Sequence, residues 1–549
     1  MAAAARLVIL PFLAVYLGFS CPSAFAQVAI ADGVSPSFAQ LEAAGAVIGQ
    51  IRINAQNIFD LDDPKESAWF YRIANQLHIS TRPAVIRRAL LFSSGERVSL
   101  QVIEETERVL RAYDYLYDVS IRPIAYRDGI VDIEVSTRDT WTLQPGASFS
   151  RGGGSNSSGI SLTERNLFGT GVLVGYANTS DADRSGRDFE ISHNQVFGGW
   201  TAFSLRWADY SDGSTQSISL VRPFYALDAR WALGASAAQF DRIDAVYTND
   251  AIVSQFRHRQ RSGEAFGGWS AGLIEGWVQR YSVGVGYTED LYANEPASIA
   301  PAELPPDQTL AYPFIRYEVI EDRYVKVVNR EKIGRPEFFA MGFNARAQLG
   351  RSSTNFGSTQ DLWLYSGSVS KGFSSVGGGD LIAGANLSGQ YGDGRGQRQL
   401  HGVTAQYYRP QGQRGLFYAS ARLDALRNPF PTDQLLLGGD NGLRGYPMRY
   451  QSGNNRALFT VEGRHYTDWY IFQLIRVGGA VFFDVGRAWD GPYQNVANPG
   501  WLRDVGFGLR LSNDRSASGN VLHLDVAFPL NADASIKQVQ FVVKTYKSF

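Results

Sequence analysis

The chain has 549 residues, which is enough for more than one domain. Aromatic residues make up 13% of it and charged residues 19%, and 57 residues are glycine, so the composition favours strands and turns over helices. The formal net charge of -1 gives no electrostatic basis for binding nucleic acid or a strongly acidic partner.

Residues 1–26 have the pattern of a secretory signal peptide. Arg6 precedes an apolar run that is too short for a membrane-spanning helix, and Ala24 to Ala26 fit the small-x-small cleavage pattern. The alternative is a lipoprotein with Cys21 as its first mature residue, but Gly18 to Ser20 do not match the leucine-led pattern that such a cysteine needs. Cleavage after Ala26 predicts a mature chain without cysteine and therefore without a disulfide or a zinc thiolate site.

The next part of the chain mixes helix and strand signals. After a short apolar strand, helices are predicted to begin near Pro83 and Ser99, and two alternating segments then flank the hairpin turn Asp128-Gly129. The order is strand, helix, helix, strand, hairpin, strand. It predicts an N-terminal segment at 27–46 followed by one small α/β domain at 47–140.

From residue 141 to 549 the helical period is absent, and apolar and polar residues alternate in about 18 to 20 segments. A soluble β-sandwich or propeller buries such an apolar face, whereas a membrane barrel turns it to lipid. No later apolar run reaches the roughly 18 residues of a membrane helix. The export signal, the terminal aromatic Phe549 and a charged row on the opposite face favour an outer-membrane β-barrel. The row contains Asp504, Arg510, His523 and Asp525.

A glycine-rich segment at 435–455 interrupts this barrel region and carries Arg444. The alternation places Glu462 on the lumen side of the next strand, and Asp484 on the lumen side of the strand after it. Two carboxylates that face a barrel interior require a cation. We therefore expect the segment to fold into the lumen, where the Arg444 guanidinium can bridge both acids.

These residues resemble the motifs of the Omp85 superfamily. The loop resembles the family's [VIL]-R-G-[FY] motif, the strand at 482–486 resembles its F-x-D-x-G motif, and the small α/β domain resembles a POTRA domain. The C-terminus resembles the family's assembly signal. The residues that carry the resemblance are Gly442, Leu443, Arg444, Gly445 and Tyr446 in the loop, Glu462 and Asp484 as acidic partners, Phe482 and Gly486 in the strand motif, and Lys547 and Phe549 at the C-terminus.

The resemblance implies a mainly β protein: a transmembrane antiparallel barrel of 16 strands behind a single periplasmic POTRA domain, of the BamA/TamA-like surface antigen type. It implies assistance in inserting proteins into the bacterial outer membrane or in moving polypeptides across it. The implied partners are the lipid bilayer and unfolded or partly folded polypeptide clients, and a homodimer or accessory proteins stay open. The alternative function is a passive pore for small solutes, which the POTRA-like region disfavours.

A weak seam between the last and first barrel strands would offer an edge for an incoming strand. The first strand, Pro145–Gly154, is short and glycine-rich. The small domain offers further edges at Ile121–Arg127 or Ile51–Ala55, although each of these has the alternative interpretation of an ordinary sheet edge.

Signals for catalysis are weak. Gly268 to Gly272 fit the nucleophile-elbow pattern, but a strand pattern follows where the elbow needs a helix. The six histidines show no paired ligand spacing. We therefore predict no catalytic residue, no metal site and no cofactor.

Overall fold

The structure is a computed structural model that describes residues 36–296, 298–375, 377–493, 495, 498–517, 520–534 and 536–546. The predicted signal peptide at 1–26 lies outside the described residues, as do Lys547 and Phe549 of the predicted C-terminal signal. Two parts follow each other along the chain, a small α/β domain and a large barrel.

The small domain is a three-stranded sheet covered by helices, with strand order β1-β3-β2. Strand β1 runs parallel to β3, and β2 runs antiparallel to it. The buried side chains of Val131, Ile133 and Val135 pack against Ile103 and Leu110. The alternating residues of a strand and the apolar face of a helix therefore form one core. The elements are α1 (Phe38–Ala43), β1 (Val47–Gln56), α2 (Trp69–Leu77), α3 (Pro83–Arg88), α4 (Leu100–Arg111), β2 (Leu116–Arg127) and β3 (Ile130–Asp139).

Helix α1 lies within the predicted N-terminal segment and begins at a capping box, in which Ser37 and Gln40 satisfy each other's backbone amides. Helices α3 and α4 begin where Pro83 and Ser99 predicted them, whereas α2 had no sequence prediction. No helix in the described part of the chain has the length and hydropathy needed to cross a membrane.

The second part is a closed antiparallel barrel of 20 strands. The family resemblance implied 16 strands, and that number is wrong. The count of alternating segments gave 18 to 20, and 20 is right, because each of these segments forms a complete barrel strand. The barrel strands are β4 (Leu143–Gly152), β5 (Ser155–Leu167), β6 (Val172–Ser180), β7 (Ser185–Val196), β8 (Thr201–Tyr210), β9 (Gly213–Arg222), β10 (Trp231–Thr248), β11 (Ala251–Ile274), β12 (Trp277–Asn294), β13 (Gln308–Glu321), β16 (Asn344–Arg351), β17 (Trp363–Ser374), β18 (Asp380–Gly392), β19 (Arg395–Gln411), β20 (Gly415–Arg427), β23 (Asn455–Ile471), β24 (Ile475–Trp489), β25 (Leu502–Asn513), β26 (Val521–Pro529) and β27 (Gln540–Tyr546).

Inside and outside alternate along these strands. In β12, Tyr281, Val283 and Val285 are exposed on the outer surface, while Arg280 and Ser282, which alternate with them, are buried on the lumen side. An apolar outer face with polar residues inside is the pattern of a barrel that is solvated by lipid.

The strands that close the barrel are β27 and β4. Within the described residues, they share the single register pair Val543–Arg151. On its other side β27 pairs with β26 from Gln540 to Tyr546, and β4 pairs with β5 along its whole length. In the described part of the chain, the seam therefore shows less strand pairing than the ladders beside it.

Two hairpins are not part of the barrel wall. One is formed by β14 (Tyr324–Val328) and β15 (Pro336–Ala340), in the segment 322–343 that joins β13 to β16 and that we call the insert. The other is formed by β21 (Leu435–Leu437) and β22 (Gln451–Gly453), between β20 and β23. A short 3-10 helix covers Thr354–Phe356.

The small domain is docked on one end of the barrel, which we call the near end. Several of the turns at this end bond to it. The Arg82 amide donates to the Gly169 carbonyl (3.0 Å), and the Tyr71 hydroxyl donates to the Phe472 carbonyl (2.9 Å). Arg515 pairs with the buried carboxylate of Glu66. The Leu227 amide, in the turn between β9 and β10, also donates to Glu105 of α4 (2.7 Å), so the contacts are spread around the ring and the domain lies across the near end.

Candidate functional site: the lumen loop and its anchors

The segment between β20 and β23 enters the lumen from the far end of the barrel. The β21–β22 hairpin forms its neck, and residues 438–450, which we call the lumen loop, form its tip. Glycine is required where the backbone passes close to the wall. A Cβ on Gly442, whose φ is 132°, would lie 2.3 Å from Leu458, and a Cβ on Gly445 would lie 2.6 Å from the Cβ of Asp504.

Arg444 projects from this tip and is held by three carboxylates. Its Nε and Nη2 donate to the two carboxylate oxygens of Asp484 (2.7 and 2.9 Å). Its Nη1 donates to Glu462 Oε1 (2.7 Å) and to Asp525 Oδ2 (3.3 Å). The fork geometry of guanidinium suits this arrangement, because a single ammonium cannot bond to both oxygens of one carboxylate and to two further acids at once.

The position of each acid follows from strand register. Glu462 lies opposite Phe482 across β23 and β24, and Asp484 lies opposite Thr460, so all four side chains face the lumen. The Arg444 guanidinium lies 3.4 Å from the centre of the Phe482 ring, and the Thr460 hydroxyl donates to Asp484 (2.8 Å). The ring adds a cation–π contact to the ion pairs.

Asp525 is the third anchor, and it had no predicted role beyond the charged row. It faces Gly508 in the neighbouring strand, where a Cβ would lie 2.0 Å from its carboxylate, so the glycine makes room for the acid. Arg510 donates to the other oxygen of Asp525, and Arg464 donates to Glu462 (2.8 Å). Arg444 is thus part of a buried network. Its members are Arg444, Arg464, Arg510, Glu462, Asp484 and Asp525, with the buried Asp504 opposite Asp484.

The other predicted residues of the motif form the packing around this network. Leu443 and Tyr446 are fully buried against Leu437 and Leu502. The Tyr446 hydroxyl donates to the Arg503 carbonyl (3.0 Å) at the far end. At Gly486 a side chain would press on the loop, because an added Cβ lies 3.0 Å from Leu437 and 3.3 Å from Leu443. These small and aromatic residues therefore fix the depth of the loop.

The insert reaches the same network from the near end. The Arg330 carbonyl accepts a hydrogen bond from Arg464 Nη1 (2.9 Å), and the Tyr408 hydroxyl donates to Glu331 (2.6 Å). Ile333 packs in a buried cluster with Tyr408 and Tyr466. Sequence reasoning missed this insertion. A signal was available in the charged run from Arg330 to Arg335, which breaks the alternation of the barrel region.

The base of the insert bonds to the small domain. Asp322 accepts hydrogen bonds from Gln101 (3.1 Å) and Arg108 (3.4 Å) of α4, and Lys326 pairs with Glu107 (2.8 Å). The Arg108 guanidinium also lies over the Tyr324 ring at 4.2 Å. A continuous set of contacts therefore runs from α4 through the insert to Arg464 and the lumen loop.

The lumen loop also contacts both sides of the seam. Lys544 of β27 donates to the carbonyls of Gly439 (2.9 Å) and Asp440 (2.7 Å). In the turn after β4, the Gly153 carbonyl accepts from the Met448 amide (3.1 Å), and a Cβ on Gly153 would lie 2.1 Å from that nitrogen. The loop thus bridges the two strands that share one register pair.

The nucleophile-elbow pattern has no matching geometry. Ser270 lies inside β11, is fully buried, and donates to the Gln279 carbonyl (2.7 Å) of the following strand. Within the described ranges, no cluster of three or more His, Cys, Asp or Glu side chains is arranged to hold a metal ion.

The fold and the site define a large barrel of the outer-membrane type with an arginine-anchored loop in its lumen. The chain aligns with CdiB from Escherichia coli at 12% identity and a TM-score of 0.48, covering 91% of this chain and 76% of that one. It aligns with CdiB from Acinetobacter baumannii at 12% identity and a TM-score of 0.44, covering 91% of this chain and 74% of that one. It also aligns with BamA from Haemophilus ducreyi lacking POTRA domains 1-3, at 13% identity and a TM-score of 0.38, covering 91% of this chain and 85% of that one.

The chain resembles the Omp85 superfamily in its motifs, and barrels of this type are among the solved structures with which it aligns. No protein-family model and no curated protein matches the sequence.

Proposed function

We propose that the chain is an Omp85-type outer-membrane protein that assists the insertion of proteins into the bacterial outer membrane or the translocation of polypeptides across it. In this proposal the small domain is a POTRA-like domain in the periplasm, and the near end of the barrel is its periplasmic end. The observation that carries the proposal is the closure of the barrel through one register pair, Val543–Arg151, in the described residues.

A strand with an unpaired side is a template for another strand. β4 is paired with β5 from Leu143 to Gly152, and on its other side the described residues give it one register pair with β27, Val543–Arg151. An extended client segment can add to such an edge through main-chain hydrogen bonds, independently of its sequence. This chemistry suits a protein that handles many polypeptides.

The small domain has one edge that suits the same role. The outer side of β1 is partly occupied, since Ile48 exchanges hydrogen bonds with the segment at 95–96 and the Ile51 carbonyl accepts from Arg87. On β2 the Tyr117 and Val119 carbonyls accept from arginines, and Ile121–Arg127 has no further main-chain partner among the described hydrogen bonds. We propose Ile121–Arg127 as the client edge of this domain.

The alternative function, a passive pore for small solutes, requires an open lumen. The lumen loop enters the interior from the far end, the insert enters it from the near end, and the small domain lies across that end. These contacts favour the handling of polypeptides at the seam over diffusion through the lumen. The proposal involves no enzyme activity, cofactor or nucleic acid.

Site-specific photo-crosslinking tests the proposal. We expect a photoreactive residue at Val543 or Ile121 to capture nascent outer-membrane or secreted polypeptides in cells. Leu387 is the matched control because it is exposed on the outer face of β18, away from the seam. Depletion of the chain should also reduce the folded amount of the captured clients. Equal capture at Val543 and Leu387, with no change in any client on depletion, would refute the proposed function.

A further inference from the structure

Helix α2 of the small domain exposes an apolar face that nothing in the described chain covers. Trp69 is 72% exposed, Leu77 is 70% exposed and Ile73 is 44% exposed. Phe70 and the following Ile79 are also exposed. Large apolar side chains grouped in this way mark a surface that contacts protein or membrane, because a solvated helix normally shows polar residues there.

The exposed residues form one stripe. At about 100° per residue, Trp69, Ile73, Leu77 and Phe70 fall within a single arc of about 100°. The polar residues Arg72 and Gln76 are exposed along one border of this arc. The opposite side of the helix faces the protein and carries the buried Tyr71 with Ala74 and Asn75. One face of the helix therefore packs on the protein, and the exposed apolar stripe lies on the opposite face.

Contacts hold α2 at the rim of the barrel. Its Tyr71 hydroxyl donates to the carbonyl of Phe472 in the turn between β23 and β24 (2.9 Å), and Tyr71 packs in a cluster with Phe59 and Leu474. Just before the helix, the Ile58 carbonyl accepts from Arg515 (2.9 Å). Because these bonds reach barrel turns, α2 is fixed beside the wall and is not suspended away from it.

The rim at this point carries its own exposed aromatic residues. Trp469 and Phe472 are 68% and 69% exposed, and Ile471 and Ile475 are exposed beside them. Aromatic residues at the ends of barrel strands mark the level of the lipid headgroups. The exposed stripe of α2 therefore lies next to a turn of the barrel that itself exposes aromatic and apolar side chains.

We propose that α2 is an interfacial anchor that lies in the lipid leaflet around the near end of the barrel, with Trp69, Ile73 and Leu77 among the upper acyl chains. Arg72, at the border of the stripe, is placed to bond to lipid phosphate. Amphipathic helices bind membranes in this way, with apolar residues below the headgroups and basic residues at their level. The anchor would hold the small domain against both the bilayer and the barrel.

A lipid occupant suits the stripe better than a protein occupant. The bilayer must meet the exposed Trp469 and Phe472 of the rim, and the Tyr71–Phe472 hydrogen bond places α2 directly beside them. This inference is independent of the client role, since an anchor serves a passive pore equally well.

Lipid-attached quenchers test the anchor in the full chain. Single cysteines are introduced as Trp69→Cys, Leu77→Cys and Ser94→Cys in a Cys21→Ser background, labelled with bimane and reconstituted in phosphatidylethanolamine–phosphatidylglycerol vesicles. Some of the lipids carry a nitroxide near the top of the acyl chain. Ser94→Cys is the control, because residue 94 is exposed in the same domain, next to Gly49 at the end of β1 that lies away from the barrel. Unchanged heat-modifiable gel mobility shows that each variant is folded.

We expect the lipid nitroxide to quench the labels at 69 and 77 several-fold more strongly than the label at 94, and aqueous iodide to show the reverse order. Equal lipid quenching at the three positions would overturn the proposal. So would labels at 69 and 77 that are shielded from both quenchers, because a second copy of the chain would then cover the stripe. Loss of client crosslinking with preserved lipid quenching would overturn the proposed function alone.

Discussion

Lys544 on the last barrel strand donates hydrogen bonds to the carbonyl of Gly439 in the lumen loop (2.9 Å) and to the next carbonyl, that of Asp440 (2.7 Å). On the other side of the seam, the Gly153 carbonyl accepts from the Met448 amide of the same loop. Within the described residues the seam strands share one register pair, so the loop supplies further connections between them. The position of the loop and the state of the seam are therefore coupled.

Lys544→Met should weaken the seam without disturbing the packing of the side-chain stem. Hydrogen bonds from a charged donor contribute about 1.5–3 kcal/mol each, so the seam should exchange amide hydrogens faster in β27 and β4. Hydrogen exchange measured by mass spectrometry checks this. Lys371→Met is the control, since Lys371 pairs with Glu321 at 3.5 Å away from the seam. The same change in both variants would contradict a role for Lys544 at the seam.

Arg444→Ala should destabilise the folded barrel by about 3–5 kcal/mol, because it leaves buried carboxylates without their cation. Arg444→Lys should fall between this variant and the parent, since it keeps the charge and loses the fork. Denaturant unfolding in lipid vesicles, read by heat-modifiable mobility, measures the difference. Arg422→Ala is the control, because Arg422 pairs with Asp424 through a largely exposed side chain and should change stability by less than about 1 kcal/mol. Equal effects of Arg444→Ala and Arg422→Ala would show that the loop has no anchor.

Asp322→Ala should loosen the link between α4 and the insert. The substitution removes the acceptor of Gln101 and Arg108, while the contact of Arg330 with Arg464 remains. We expect faster hydrogen exchange in α4 and in the β14–β15 hairpin, with little change in barrel unfolding. A variant with parent-like exchange in α4 would show that the insert does not hold the small domain.

Glu105 of α4 predicts a pH dependence of docking. Burial raises its pKa above the ordinary value of 4.5; Asp322 acts in the same direction, while the Leu227 amide, which donates to it at 2.7 Å, and Arg108 oppose the rise. A raised carboxyl pKa means that the docked state binds more protons than the detached state, so docking is strongest below about pH 4.5 and weakens as the pH rises through the docked-state pKa. The urea midpoint for detachment of the small domain should therefore fall from about pH 4 to about pH 8. Glu105→Gln should reduce this slope, and an unchanged slope would assign the pH dependence to other groups.

The lumen positions of Glu462 and Asp484 were predictable because side chains alternate with a strict period of two in a strand. One apolar neighbour such as Val461 or Phe483 fixes the face of the whole strand. The contact of Arg444 with these two acids follows from charge alone. The third acid, Asp525, was not predictable as a partner, because its distance from Arg444 depends on the register of two further strand pairs.

The insert escaped prediction, and the family resemblance implied too few strands, for different reasons. Residues 322–343 carry no sustained period, and their fold is set by partners that are distant in sequence, such as Arg108 and Arg464. The number of strands was underestimated where the family resemblance replaced the count of alternating segments. The exposed face of α2 was missed because an apolar residue such as Trp69 or Leu77 carries no sign in the sequence of whether protein or lipid covers it.

We propose that clients enter at the seam between β27 and β4. A reversible disulfide lock on that seam is a direct test. Arg151→Cys with Val543→Cys places two cysteines at the register pair, and Ser366→Cys with Ser388→Cys places a control pair in the wall between β17 and β18. Folding of a captured client is measured in cells depleted of the parent chain, before and after reduction. The account predicts that the oxidised seam pair blocks client folding, that reduction restores it, and that the control pair has no effect. Client folding at the parent rate through an oxidised seam would contradict the account.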